Sequence, residues 1–208
     1  MIDLSNNNAS GHDFKRAFEQ GGQRRVYLKA VEGTNFVDST YKGLRTAALK
    51  AKLKVGAYDF LHPLEATPSE ALSFFVARLA HGLKAGRDLR PALDVEKGTP
   101  SAKMGRWVKE MASALFKETG VRPLIYGSGF FLQDCEFPSA PGPLWLAAFG
   151  KNDGREFPIS MVPKPWKTVA AHQFSSKGNV AGIKGPVDIS HVMIPASIEL
   201  PRSLKQSS

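Results

Sequence analysis

The chain has 208 residues, 42% of them hydrophobic, which is enough to bury one sizeable core and calls for no second domain. Its 28 Lys and Arg against 19 Asp and Glu leave a net charge of +9, which favours a polyanionic partner such as nucleic acid, an anionic membrane face or an acidic cell wall. The longest apolar runs, such as Leu144 to Phe149, are far too short for a transmembrane segment, and the single Cys135 excludes an internal disulfide.

In chain order, β-rich runs alternate with amphipathic ones. "MIDLS" predicts a first strand, followed by a helix from about His12 to Gln20 that ends at Gly21-Gly22. "RRVYLKA" predicts the second strand, and "DSTYKGLRTAALKAKL" the helix after it, capped by Asp38 or Ser39. "KVGAYDF" is the third strand. The run "TPSEALSFFVARLAHGLK" opens with Thr67, Pro68 and Glu70, the pattern of a capping box with proline at the first helical position. "RPALDVE" predicts the fourth strand, "SAKMGRWVKEMASALFKETG" its helix, and "RPLIYGS" the fifth strand. "GPLWLAAFG", "KTVAAHQFSS" and "GPVDISHV" are three further strands, joined by segments rich in Pro and Gly and too short for well-formed helices.

This pattern predicts an α/β fold: an irregular single-domain (β/α) barrel of about five βα units followed by three closing strands. It would span residues 1–195, with 196–208 as a C-terminal tail. Strands alternating with helices imply a parallel sheet. A doubly wound open sheet would show a Gly-rich phosphate turn after the first strand, but "DLSNNNASG" has neither that turn nor a Walker pattern, which disfavours a nucleotide. No Cys or His cluster has metal-ligand spacing, so neither a metal nor a cofactor is expected. The basic residues are scattered and lack aromatic interleaving, which argues against nucleic acid.

In such a barrel the functional site lies at the C-terminal ends of the strands. Those ends carry Asp3, Tyr58 and Asp59, Asp94 and Glu96, Tyr126, Trp145, Gln173 and Asp188, with Glu32 just after the second strand. Taken singly, Asp3 reads as a cap, Asp188 as a turn acid, Glu32 as a loop acid and Trp145 as core. The pair Asp94 and Glu96 is harder to dismiss. Residues two apart on a strand project to one face, roughly 6.5–7 Å apart, and two acids on one face of an apolar strand are costly unless solvated or functional. A ring of acids with aromatic platforms suits glycoside cleavage, which needs a proton donor and a negative charge near the oxocarbenium-like centre. Crowding among like charges should raise at least one carboxyl pKa, and Glu96, the longer acid, is the candidate donor.

The ordered series "IDLS", "YLKAVEGTNFVD", "KVGAYDFLHP", "PALDVE", "RPLIYGS", "LWLAAFG", "HQFSS" and "GPVDIS" resembles glycoside hydrolase family 25, the N-acetylmuramidases that include many phage endolysins. The resemblance runs from Ile2 to about Val192. It implies cleavage of the β-1,4 bond between N-acetylmuramic acid and N-acetylglucosamine in peptidoglycan. The family's proton donor falls on Glu96, its acidic partners on Asp94, Asp3 and Asp188, and its sugar-contacting residues on Lys29, Tyr58 and Tyr126. Asp59, Trp145 and Gln173 complete the expected substrate-binding set. The implied partners are peptidoglycan glycan strands and the anionic wall.

Two departures from the family pattern stand out. Asp59 occupies a position where members often show His, and His172 one where they show Trp, which is expected to add a charge near the mouth and remove an aromatic face. "MIDLSNNN" has no basic start followed by an apolar stretch, so the expectation is a soluble chain. An endolysin would be made in the host cytoplasm and act at the wall; otherwise the protein would be secreted. The competing reading is a catalytically silent glycan-binding module on the same fold.

Overall fold

The computed structural model describes residues 1–79, 82–156 and 158–201. Its strands are β1 (Ile2–Leu4), β2 (Arg25–Glu32), β3 (Phe36–Val37), β4 (Lys54–Phe60), β5 (Ala92–Asp94), β6 (Leu124–Ser128), β7 (Leu144–Ala147), β8 (Ala171–Gly178) and β9 (Val187–Val192). Around the ring β1 neighbours β2, then come β4, β5, β6, β7, β8 and β9, and β9 returns to β1 and closes the barrel. The two-residue β3 is hooked antiparallel onto the end of β2.

The sheet is mixed, which corrects the expectation of a parallel one. Around the ring from β1 to β8, leaving out the appended β3, each pairing is parallel, but β9 runs antiparallel to both β8 and β1. The cause is the short link between β8 and β9. A parallel return needs a crossover of a dozen or more residues, and residues 179–186 permit only an antiparallel one.

Six helices accompany the strands among the described residues. Helix α1 (Phe14–Glu19) starts after Asp13, whose side chain accepts from the Arg16 N–H. Helix α2 (Tyr41–Lys50) has Thr40 at its N-cap position, with no side-chain cap bond. Asp38, expected as a cap, instead accepts from the Thr40 N–H and hydroxyl and from the Asn6 N–H, tying the loop after β1 to the start of α2. Helix α3 (Pro68–Val76) has the predicted capping box of Thr67 and Glu70, with proline in its first turn. It stops at Val76, short of the run to Lys84, and of that run Ala80 and His81 lie outside the described residues. Helix α4 (Ala102–Thr119) buries Met104, Trp107, Val108, Met111, Ala112 and Leu115 at helical spacing, between a Ser101 cap and Gly120 at φ 70°. The short α5 (Gly129–Asp134) and α6 (Pro195–Ile198) were not expected.

Alternation along the strands sorts side chains into two layers. Val26, Leu28, Val55, Leu93, Ile125, Leu144 and Leu146 face outward and belong to the larger core, with the apolar stripes of α3 and α4. Tyr27, Ala92, Leu124, Tyr126, Trp145 and Ala171 face inward. Tyr27 is fully buried because Gly56 on the neighbouring strand leaves room for it: a Cβ there would lie 2.1 Å from the ring. Its hydroxyl donates to the Arg90 carbonyl at 2.9 Å.

Part of the segment read as a tail, 196–208, belongs to this inner layer. Ile198 is fully buried in it, the Ile198 carbonyl accepts from the Arg90 N–H, and Glu199 pairs with Arg25 and Lys54. Residues 202–208 lie outside the described residues.

Candidate active site

The inward positions at the end of the barrel opposite Ile198 surround a cavity of about 340 Å³. The acid and substrate-binding candidates from the sequence line it except Asp59 and Glu32: Asp3, Lys29, Tyr58, Asp94, Glu96, Tyr126, Trp145, Gln173 and Asp188. Topology explains the convergence. Asp3 on β1, Asp94 on β5 and Tyr126 on β6 sit at or near C-terminal strand ends, whereas Asp188 is the second residue of β9. Because β9 is antiparallel, its start lies at the same mouth, directly opposite Asp3.

The Asp94 and Glu96 pair differs in detail from its expected form. Strand β5 ends at Asp94, so Glu96 lies in the loop beyond it. The Val95 N–H donates to the Tyr126 carbonyl at 2.9 Å, which keeps the chain extended for one more step. Asp94 and Glu96 therefore both reach the cavity, while Val95 is fully buried on the other side. Asp94 is 6% exposed; Glu96 stands at the open rim.

The carboxyls Asp3, Asp94, Glu96 and Asp188 all have pKa values above their ordinary range. For Asp3 burial is the main cause, followed by Asp188, with the Gln173 hydrogen bond opposing. Asp94 is raised by burial, then by Glu96, Asp3 and Asp59, with Lys29 opposing. Glu96 is raised by desolvation and then by Asp188, again against Lys29. For Asp188 desolvation leads and a backbone hydrogen bond opposes. A cluster of this kind holds some of its acids protonated where isolated ones would be ionised. Tyr58 and Tyr126 are pushed up as well, by burial and by the surrounding acids, so both are neutral hydroxyls that can donate or accept.

Polar contacts fix the floor. The Tyr126 hydroxyl donates to Gln173 Oε1 at 2.7 Å, and Gln173 Nε2 donates to Asp3 Oδ2 at 3.0 Å. The Trp145 indole N–H donates to Ser190 Oγ at 3.0 Å, and its ring lies between Tyr27 and Tyr126, with centroids 4.8 and 4.9 Å away. Trp145 is only 2% exposed, so it is core and cavity floor at once. Lys29 Nζ donates to Glu32 Oε2 at 2.9 Å, and Glu32 is held in turn by His62. Among the described residues no group of three or more His, Cys, Asp or Glu is disposed to hold a metal ion.

Both departures from the family pattern lie off the cavity. Asp59 is fully buried on the outward face of β4, between the inward-facing Tyr58 and Phe60. Neither of its carboxyl oxygens has a hydrogen-bond partner among the described residues, and burial, then Glu32, raises its pKa. Its influence on the site is through the field it adds at Asp94. His172 is 1% exposed, between the inward-facing Ala171 and Gln173, and its Nε2 lies 2.8 Å from the Ala148 carbonyl. The charge of Asp59 thus acts on the cavity from behind its wall, and His172 presents no face to the cavity.

Ser5, Asn7, Asn8, Phe60, Phe149 and Ser176 also line the cavity and were missed in the sequence. Phe60 was accessible by simple alternation from Tyr58. The asparagines of "SNNN" follow a strand end, which marked the loop without marking its residues.

The profile of the glycosyl hydrolases family 25 matches residues 2–183. Lysozyme M1 of Streptomyces globisporus is 25% identical over 182 residues, covering 82% of this chain and 60% of its own length. The autolytic lysozyme of Clostridium acetobutylicum is 31% identical over 176 residues, covering 83% and 50%. The chain thus spans about half the length of these relatives. Among solved structures, the family 25 lysozyme of Aspergillus fumigatus superposes with a TM-score of 0.76 at 28% identity, covering 92% of this chain and 93% of its own. The lysozyme of Streptomyces coelicolor shares the fold, with a TM-score of 0.80 at 24% identity over 94% and 92% of the two chains. With its profile matched over most of its length and its barrel shared with lysozymes, this chain belongs to glycosyl hydrolases family 25.

Proposed function

We propose that the protein is a peptidoglycan hydrolase, an N-acetylmuramidase that cuts the β-1,4 bond between N-acetylmuramic acid and N-acetylglucosamine. The observation that carries this reading is the gathering of Asp3, Asp94, Glu96 and Asp188 around one aromatic-floored cavity. Glycoside cleavage asks for carboxyls held in different protonation states, and a site that raises the pKa of its acids can supply a donor that is still protonated near neutral pH. The lysozyme and muramidase names of its relatives support the same substrate.

On this reading Glu96, at the open rim, protonates the departing oxygen. Asp94 lies deeper, where it can accept the N–H of the 2-acetamido group of the muramic acid while the acetamido oxygen attacks the anomeric carbon. Asp3 and Asp188 supply further negative potential to the oxocarbenium-like centre. Gln173 and Tyr126 hold Asp3 in place. The biological setting that fits is attack on a bacterial wall, as by a phage endolysin.

The experiment is a turbidity assay on purified peptidoglycan, with mass analysis of the new reducing ends, run on the wild type and on Glu96→Gln. Muramic acid reducing ends from the wild type and a loss of about 10²–10⁴-fold in the variant are expected. Binding without cleavage by the wild type would favour the silent glycan-binding module.

A further inference from the structure

Glu96 borders two cavities, and the second is made of different material from the first. The cavity already described lies on the side of the acids. The other, of about 400 Å³, shares Glu96, Tyr126 and Phe149 with it and continues to Leu146, Phe130 and Met161. Phe130 is 78% exposed, more than any other large apolar side chain among the described residues. It stands on α5, which begins directly after Ser128 at the mouth end of β6.

A lone exposed phenylalanine needs no explanation. This one flanks the proposed proton donor and faces a wall that is already fixed. The Lys164 N–H donates to Gln133 Oε1 of α5 at 2.9 Å, and a Cβ added at Gly129 would lie 2.9 Å from Met161 Cε. The segment carrying Met161 is thus held against α5, and the cavity between them is preformed.

A glycosidic bond has two sides, and the proton donor must sit beside the oxygen that bridges them. The sugar whose anomeric carbon is attacked becomes positively charged and belongs with the acids. The leaving sugar stays neutral and needs only shape and an apolar surface for the C–H face of its ring. We propose that the second cavity receives the leaving-side sugar of the glycan, an N-acetylglucosamine residue, and that Phe130 is its platform. The assignment rests on the muramidase reading above. It makes Phe130 a specificity-determining residue that favours a continuing chain over a short leaving group.

The test compares two substrates with the same sugars on the acid side of Glu96. One is the β-1,4 tetrasaccharide of alternating N-acetylglucosamine and N-acetylmuramic acid. The other is the β-fluoride of the corresponding disaccharide: its C–F bond breaks, water supplies the new hydroxyl, HF leaves, and no sugar lies beyond Glu96. Phe130→Ala should lower kcat/KM on the tetrasaccharide about tenfold, equivalent to about 1.4 kcal/mol, chiefly through KM. On the fluoride the loss should be less than about twofold, and Phe130→Trp should recover the tetrasaccharide rate to within about threefold of wild type. Equal proportional losses on both substrates, or no loss on either, would overturn the assignment. Failure of the wild type to cleave either substrate would instead overturn the muramidase reading, and this inference with it.

Discussion

Asp3 and Asp188 are direct partners across the antiparallel seam where β9 meets β1. Like charges placed opposite each other on paired strands repel, and neither strand can slide without moving its whole inward face. The seam that closes the barrel therefore also creates the electrostatic pressure in its mouth, and Asp188 is the leading charge acting on both Asp3 and Glu96.

That relationship fixes the direction of a pH effect. A proton donor works in its protonated form, so kcat/KM should fall as pH rises through the pKa of Glu96. Asp188 raises that pKa, second only to desolvation. In Asp188→Asn the alkaline limb of the kcat/KM profile should move to lower pH, whatever the change in its height. A limb that stays put, or moves upward, would disconnect Asp188 from the donor.

Asp94→Asn separates transition-state work from binding. If Asp94 steadies the acetamido group during attack, kcat should fall by about 10²-fold or more, with a much smaller change in KM. The wild type should release a product with the β configuration retained. Proton NMR of the first-formed product reads this before mutarotation, and an α anomer would recast one of the aspartates as the base of an inverting reaction.

Asp59 is the candidate for stabilisation without loss of the cavity lining. Its folded pKa lies above its unfolded one, so the native state holds more protons than the unfolded chain between the two values. Its penalty is absent at pH values below the ordinary Asp range and grows as pH rises toward the folded pKa. Asp59→Val removes the buried carboxyl from the outward face of β4, and it should stabilise the protein by about 1–3 kcal/mol at neutral pH and by less at pH 4. Urea unfolding at the two pH values gives the comparison; an equal or smaller gain at neutral pH would contradict the assignment.

The net charge of +9 predicts salt-sensitive attachment to an anionic wall. Screening shortens the reach of exposed charges to about 8 Å at physiological ionic strength, so sedimentation of the protein with intact walls should weaken as salt is added. Cleavage of short glycan fragments, which carry few charges compared with an intact wall, should change far less. Wall binding that is flat from low to high salt would remove the surface charge from targeting.

The eight barrel strands and the capping box of α3 were legible in the sequence, unlike the two-residue β3, because each follows from local rules: apolar runs bounded by Gly and Pro, and a Thr-Pro-x-Glu start. The same rules marked the strand ends, and so Asp3, Asp94, Glu96, Tyr126 and Asp188 as residues that a barrel would bring together. They did not reveal α5 and α6, of six and four residues, which are too short to leave a periodic signature. The direction of β9 and the depth of each acid depend on how distant segments pair. So does the placement of Asp59 and His172 behind the wall: alternation says that neighbours face opposite ways, but only closure of the ring decides which way is inward. Local preferences set the barrel strands, the longer helices and the chemistry at the strand ends. Which of those ends share a cavity depends on long-range pairing, because a one-residue change of register turns an inward side chain outward without altering any local preference.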